Sequence, residues 1–303
     1  MSTRDPVLVV DAGTSSVRVA VVDGSHLVAE RRRPRPPATP APGLVEFDAT
    51  ALAATALELA RATVDEVGRV AAVGIANQRG SAVLWDRATG EPVAPAIGWQ
   101  DVRTVGRCLA LGTDGWTVAP NTSATKLEAL LDEADPDRGR DLCFGTVDSW
   151  LAWTLSDGHL HVTDASNALV TGLRRRSNDG WWDRALDALR IPVGVLPAVV
   201  DSTAVVGPAD ALPGRPPIAG ILGDQQASLL GQACVHPGQA KITFGTGGLL
   251  DVVLGAERPR FDRGGSGTFA IVTRRQAGRD TWGLEAIMLA AGTSAFEASV
   301  TCR

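Results

Sequence analysis

Val7–Val22 reads VLVVDAGTSSVRVAVV: two valine-rich apolar runs joined by a short turn of small and hydroxyl-bearing residues, with Asp11 at its entrance. The runs predict two β-strands and the turn a hairpin. In such a turn Gly13 lets the backbone approach an anion, and Thr14, Ser15 and Ser16 offer N–H and hydroxyl donors. Asp11 ends the incoming strand where a Mg²⁺-linked carboxylate can act. An ordinary hairpin with an Asp-Ala-Gly turn accounts for the same residues.

The pattern occurs twice. Ala240–Leu254 reads AKITFGTGGLLDVVL, again an apolar run, a glycine-threonine turn and an apolar run, with Phe244 where the first copy has Asp11. An internal repeat of this kind predicts two similar domains facing a nucleotide, only one of which supplies a carboxylate.

The composition fits a soluble globular chain: 303 residues, 45% hydrophobic and 21% charged, with enough apolar mass for one large or two ordinary domains. A net charge of −5 argues against nucleic acid as a partner, and Arg31–Arg33 and Arg174–Arg176 read as solvated loops. The N-terminus MSTRDPVLVV has no signal-peptide core, which places the chain in the cytoplasm, with no membrane partner. Cys108, Cys143, Cys234 and Cys302 form no CxxC pair and read as buried small hydrophobes. His159 and His161 alternate in GHLHVTD without further ligands nearby, which favours a structural role over a metal site.

Between the hairpins, Pro34–Pro42 can continue neither a helix nor a central strand, and reads as a surface loop. Asp48–Val67 carries helical spacing, and Val70–Ala76 predicts a buried strand running into Asn77, Gln78 and Arg79. Polar residues at the carboxyl end of such a strand suit a ligand. Trp99 beside Gln100, Asp101 and Arg103 combines an apolar platform with hydrogen-bonding groups, although a packed tryptophan explains it equally; Trp181 and Trp182 read as structural. Pro217–Gly223 predicts another buried strand, with a helix opening at Asp224, Gln225 and Gln226. Asp224 there is either a proton acceptor, a Mg²⁺ ligand or a simple helix cap.

In order along the chain stand DAGTSS, GLVEFD, NQR, WQD, GTVDSWLAW, HVTDASNA, GDQQASLLGQ and FGTGG. This series resembles the FGGY carbohydrate kinases, their glycerol kinase branch most closely, from about Val7 to about Glu297. The resemblance implies an α/β chain of the actin-like ATPase, ribonuclease H-like fold, with one complete domain and the start of a second. Residues 1–238 would be the substrate-binding domain and 239–303 the truncated start of the nucleotide-binding domain. The implied activity is ATP-dependent phosphorylation of a hydroxyl on a sugar or polyol. Asp224 would be the general base, and Asp11 and Asp224 would face Mg²⁺. Gly13, Thr14, Ser15, Gly245, Thr246 and Gly247 would hold the nucleotide phosphates. Arg79, Trp99, Asp224 and Gln225 would contact the substrate. Three positions depart from the glycerol kinase pattern: Gly80 replaces an acid, Asn121 an aromatic hydroxyl and Leu249 a phenylalanine, which predicts room for a larger sugar or polyol. Ala129 also replaces a tryptophan. The alternative is a non-catalytic sugar-binding protein of the same fold. Homo-oligomers are common in the family.

Overall fold

Val7–Ala12 (β1) pairs antiparallel with Ser16–Asp23 (β2), and β2 with His26–Pro34 (β3). The structure, a computed structural model, describes residues 6–244, 248–260 and 267–288. It divides the chain into two compact units, Met1–Asp224 and Gln225–Arg303. Alternation makes the first hairpin: Leu8, Val10, Ala12, Val17, Val19 and Val21 share one face and are fully buried. The edge strand β3 carries the arginines expected in loops. Arg31 pairs with Glu66 at 2.6 Å and Arg33 with Glu58 at 2.5 Å, and charges of this kind guard a sheet edge.

A Pro-rich loop leads through Glu46–Phe47 (β4) into Ala49–Val67 (α1). Asp48 starts α1 by accepting from the Ala51 N–H at 2.8 Å, and Gly68 at φ +83° ends it. Leu52, Ala56, Leu59, Ala60 and Val64 recur at helical spacing and bury one face of α1 against β1, β2 and β3. Ala72–Asn77 (β5) then runs parallel to β1.

Val83–Asp86 (β6), Ala96–Ile97 (β7), Val105–Thr113 (α2), Ala124–Ala134 (α3) and Leu142–Gly145 (β8) build a lobe around a second apolar cluster that includes Leu84, Ile97, Leu127, Leu131 and Phe144. Val147–Leu155 (α4), Val162–Asp164 (β9), Ala165–Val170 (α5), Asp183–Ala188 (α6), Ala198–Val200 (β10) and Gly207–Pro208 (β11) follow. Pro217–Gly223 (β12) lies parallel to β5, and Asp224–Gly231 (α7) begins at once. The sheet order is β11-β12-β5-β1-β2-β3. Three parallel strands, β12, β5 and β1, therefore end side by side.

In the second unit Ala240–Phe244 (β13) and Gly248–Gly255 (β14) form the second hairpin, and Thr268–Gln276 (β15) and Arg279–Met288 (β16) complete the order β13-β14-β16-β15. Register sets Lys241 opposite Asp251, and their side chains meet at 2.9 Å inside the unit.

Some expectations are corrected by packing. Arg174 is buried, its guanidinium over the Trp181 ring at 5.1 Å and bonded to Asn178, so only Arg175 and Arg176 of that run are exposed. Cys108 and Cys143 are buried as expected, whereas Cys234 is half-exposed; Cys302 lies outside the described residues. His161 donates from Nε2 to the Phe144 carbonyl at 2.8 Å and packs its ring edge-on to Trp85, and burial pushes its pKa down to about 4. It serves the fold.

Candidate active site

The carboxyl ends of β1, β5 and β12 carry Asp11, Asn77 and Gly223, with Ala12 and Gly223 both in register with Asn77. Arg79 follows β5 and Asp224 follows β12. Across that gap Arg79 Nε lies 3.6 Å from Asp224 Oδ1, with Arg79 almost buried and Asp224 one-third exposed. A carboxylate reachable from solvent, faced by a guanidinium, stands at the ends of parallel strands where α/β sheets bind ligands.

Asp11 completes the group from β1. Burial raises its pKa, the negative charge of Asp224 raises it further, and Arg18 and Arg32 act against both. Arg18 is its cross-strand partner on β2, and Arg32 is the next along that row on β3. Two carboxylates that repel each other, with the Thr14 hydroxyl on the same hairpin, make an oxygen-only donor set suited to a hard divalent cation. Among the described residues no three His, Cys, Asp or Glu side chains converge.

In the hairpin turn the Gly13 N–H donates to Ser16 O at 3.0 Å, so it is engaged inside the turn, while Ser15 is exposed. The Thr14 hydroxyl accepts from Trp99 Nε1 at 2.9 Å, which ties the turn to the half-buried tryptophan. Asp101 and Arg103, read as ligand groups, serve the fold: Asp101 accepts from Val45 N at 2.6 Å and from Arg103 at 2.8 Å, and Arg103 also reaches Glu46 at 2.7 Å. Burial pushes the Asp101 pKa up, but its bonds to Arg103 and Val45 hold it below the ordinary carboxylate value.

The segment carrying Arg79 is fixed from several sides. Gln78 N donates to Ala12 O at 2.9 Å, Ser123 Oγ to Ser81 O at 3.1 Å, and Trp99 N to Ser81 Oγ at 3.2 Å. Lys126, fully buried on α3, donates from Nζ to Gly80 O at 2.9 Å. Gly80 has φ +73°, and a β-carbon on it would collide with the carbonyl oxygen of Asn121. The room expected at Gly80 is therefore filled on that side by Asn121 backbone.

In the second unit Gln225 Oε1 accepts from Lys241 Nζ at 2.8 Å, an anchor that sequence reasoning did not foresee. Leu249 lies half-buried on β14. Gly245, Thr246 and Gly247 lie outside the described residues. Sequence reasoning also missed Lys126 and the carboxylate Asp164. The one available signal for Asp164 was its place before Ser166 and Asn167 in HVTDASNA, the pattern of an acidic helix cap.

Residues 6–231 match the model of the FGGY family of carbohydrate kinases, N-terminal domain. The chain belongs to this family. Among its relatives, the glycerol kinase of Aromatoleum aromaticum is 44% identical over 271 residues, 82% of this chain and 55% of that protein. The glycerol kinase of Trichlorobacter lovleyi is 40% identical over 309 residues, 95% of this chain and 62% of that protein. The chain thus spans a little over half the length of these relatives. Plasmodium falciparum glycerol kinase with ADP superposes with a TM-score of 0.87 at 23% identity, over 98% of this chain and 63% of that one. A xylulose kinase from Rhodospirillum rubrum gives 0.83 at 20% identity, over 95% and 62%. The fold is accordingly the actin-like, ribonuclease H-like α/β fold of FGGY kinases, one domain followed by part of a second.

Proposed function

We propose that this chain carries the acceptor and general-base half of an ATP-dependent sugar or polyol kinase, with residues 1–238 as substrate domain and 239–303 as the beginning of the nucleotide domain. The observation that carries this reading is the pairing of Arg79 with Asp224 at the ends of adjacent parallel strands, beside Asp11. Arg79 and Gln225 donate hydrogen bonds to substrate hydroxyls, and Trp99 forms an apolar wall for the carbon chain. Asp224 accepts the proton of the attacking hydroxyl; the oxygen then bonds to the γ-phosphorus while the bond to the β-phosphate oxygen breaks and ADP leaves. By the family resemblance, Asp11, Gly13, Thr14 and Ser15, and likewise Gly245, Thr246 and Gly247, are the residues that would contact the nucleotide phosphates. When bound as MgATP, Mg²⁺ neutralises phosphate charge, and Asp11 and Asp224 are the carboxylates that would hold it.

The test is ADP release on incubation of the chain with MgATP and a panel running from glycerol to pentoses and hexitols. Phosphorylation of one panel member is expected, and Asp224→Asn should lower kcat by about 10²- to 10⁴-fold with folding intact. Near-normal turnover by that variant removes Asp224 from the base role. Polyol binding without MgATP binding in the parent chain would favour the binding-only reading.

A further inference from the structure

We propose that Asp164 is a positioning residue that sets the approach of Arg79 to Asp224 through two separate hydrogen-bonded arms. It is fully buried at the start of α5, where it accepts from Ser166 N at 3.0 Å, Asn167 N at 2.9 Å, Ser166 Oγ at 2.8 Å, Asn167 Nδ2 at 2.9 Å and Ser202 Oγ at 2.7 Å. One arm passes through Ser166, whose hydroxyl accepts from the N–H of Gly223 at 3.1 Å. Gly223 is the residue before Asp224. The other arm passes through Asn167, which exchanges amide hydrogen bonds with Asn77 at 2.9 and 3.1 Å. Asn77 in turn donates to Gln78 O at 2.8 Å, directly before Arg79.

A single buried carboxylate therefore grips the ends of two neighbouring strands, each just ahead of the group that strand delivers. Asp164 also fixes the direction of both relays. Because Asp164 takes five donors on its two oxygens, Ser166 points its proton at Asp164 and leaves a lone pair for Gly223, and Asn167 turns its amide nitrogen toward Asp164. Behind it, Asp148 accepts from Asp164 N at 3.2 Å and Thr163 Oγ1 at 2.8 Å, holding the cap itself in place. Neither Asp164, Ser166 nor Asn167 lies within the pair they support, so their effect is on geometry.

The catalytic part of this proposal rests on the kinase reading above; the structural part does not. Two arms predict two different kinetic signatures, because a displaced base lowers kcat whereas a displaced binding group raises KM. Ser166→Ala should lower kcat at least tenfold with the KM for the polyol within twofold of the parent. Asn77→Ala should raise that KM at least tenfold, and Asp164→Asn should do both. Independently of turnover, amide hydrogen exchange at Gly223 should quicken at least tenfold in Ser166→Ala while exchange in α1 is unchanged. Variants that lower only the melting temperature, with kcat and KM both within twofold of the parent, overturn the proposal. If the parent phosphorylates nothing in the panel, the kinase reading fails, and unchanged exchange at Gly223 in Ser166→Ala and Asp164→Asn then overturns the positioning role as well.

Discussion

Gly80 shows what one residue contributes to this site. Its positive φ, its carbonyl bond to Lys126 and the Asn121 carbonyl standing where a β-carbon would go together fix the turn that presents Arg79. A larger residue meets two penalties there: left-handed backbone, costing roughly 1 kcal/mol, and a collision with rigid main chain, costing about 1–3 kcal/mol. Gly80→Ala should thus lose about 2–4 kcal/mol in urea unfolding; a loss below 0.5 kcal/mol, on the same scale of about 1 kcal/mol per penalty, would show that the turn relaxes freely. In the sequence Gly80 reads as a missing acid and therefore as added space. The neighbour that fills the space, Asn121, is brought there by the lobe between β5 and α3, and no local pattern reveals such a contact.

The elements divide by how local their causes are. Both hairpins, α1, β5 and the β12–α7 junction follow from alternation, helical spacing and caps within each segment, and the structure places them where the sequence does. The Asp48 cap is the plainest of these local causes: its carboxylate satisfies an otherwise orphaned N–H at the first turn of α1. Asp48→Ala should cost about 1 kcal/mol in thermal or urea unfolding, and Asp48→Asn much less, because the amide oxygen still accepts. Equal losses in both variants would mean that charge rather than capping matters. The arginines of β3 were hidden from this reading because three successive cations look like a loop until Glu58 and Glu66 on α1 are placed beside them. The relay from Asp164 was hidden for a similar reason: Asn77, Ser166, Ser202 and Gly223 are unremarkable singly and distant in sequence, and only the sheet order assembles them.

At the scale of the whole first unit, two buried ionisable groups oppose each other in their dependence on pH. Burial, and then the charge of Asp164, push Asp148 up to about 7, whereas burial pulls Lys126 down to about 7 despite the charge of Asp101. Unfolded, these groups titrate near 3.9 and 10.4. Between pH 4 and 7 the folded chain holds a proton on Asp148 that the unfolded chain has released, so stability falls as pH rises through this window. Between pH 7 and about 10 the unfolded chain holds the Lys126 proton that the folded chain has released, so stability climbs again. His161, lowered to about 4, works against Asp148 at the acid end, which makes comparison with variants more telling than the parent curve alone. Urea unfolding from pH 4 to 10 should show Asp148→Asn gaining on the parent progressively up to pH 7, by at most about 4 kcal/mol, from roughly 1.4 kcal/mol per pH unit over the displaced range. Lys126→Met should lack the climb above pH 7 and keep the fall below it. Parallel curves for parent and both variants would place these two side chains in water for at least part of the time, contrary to the packing that surrounds them.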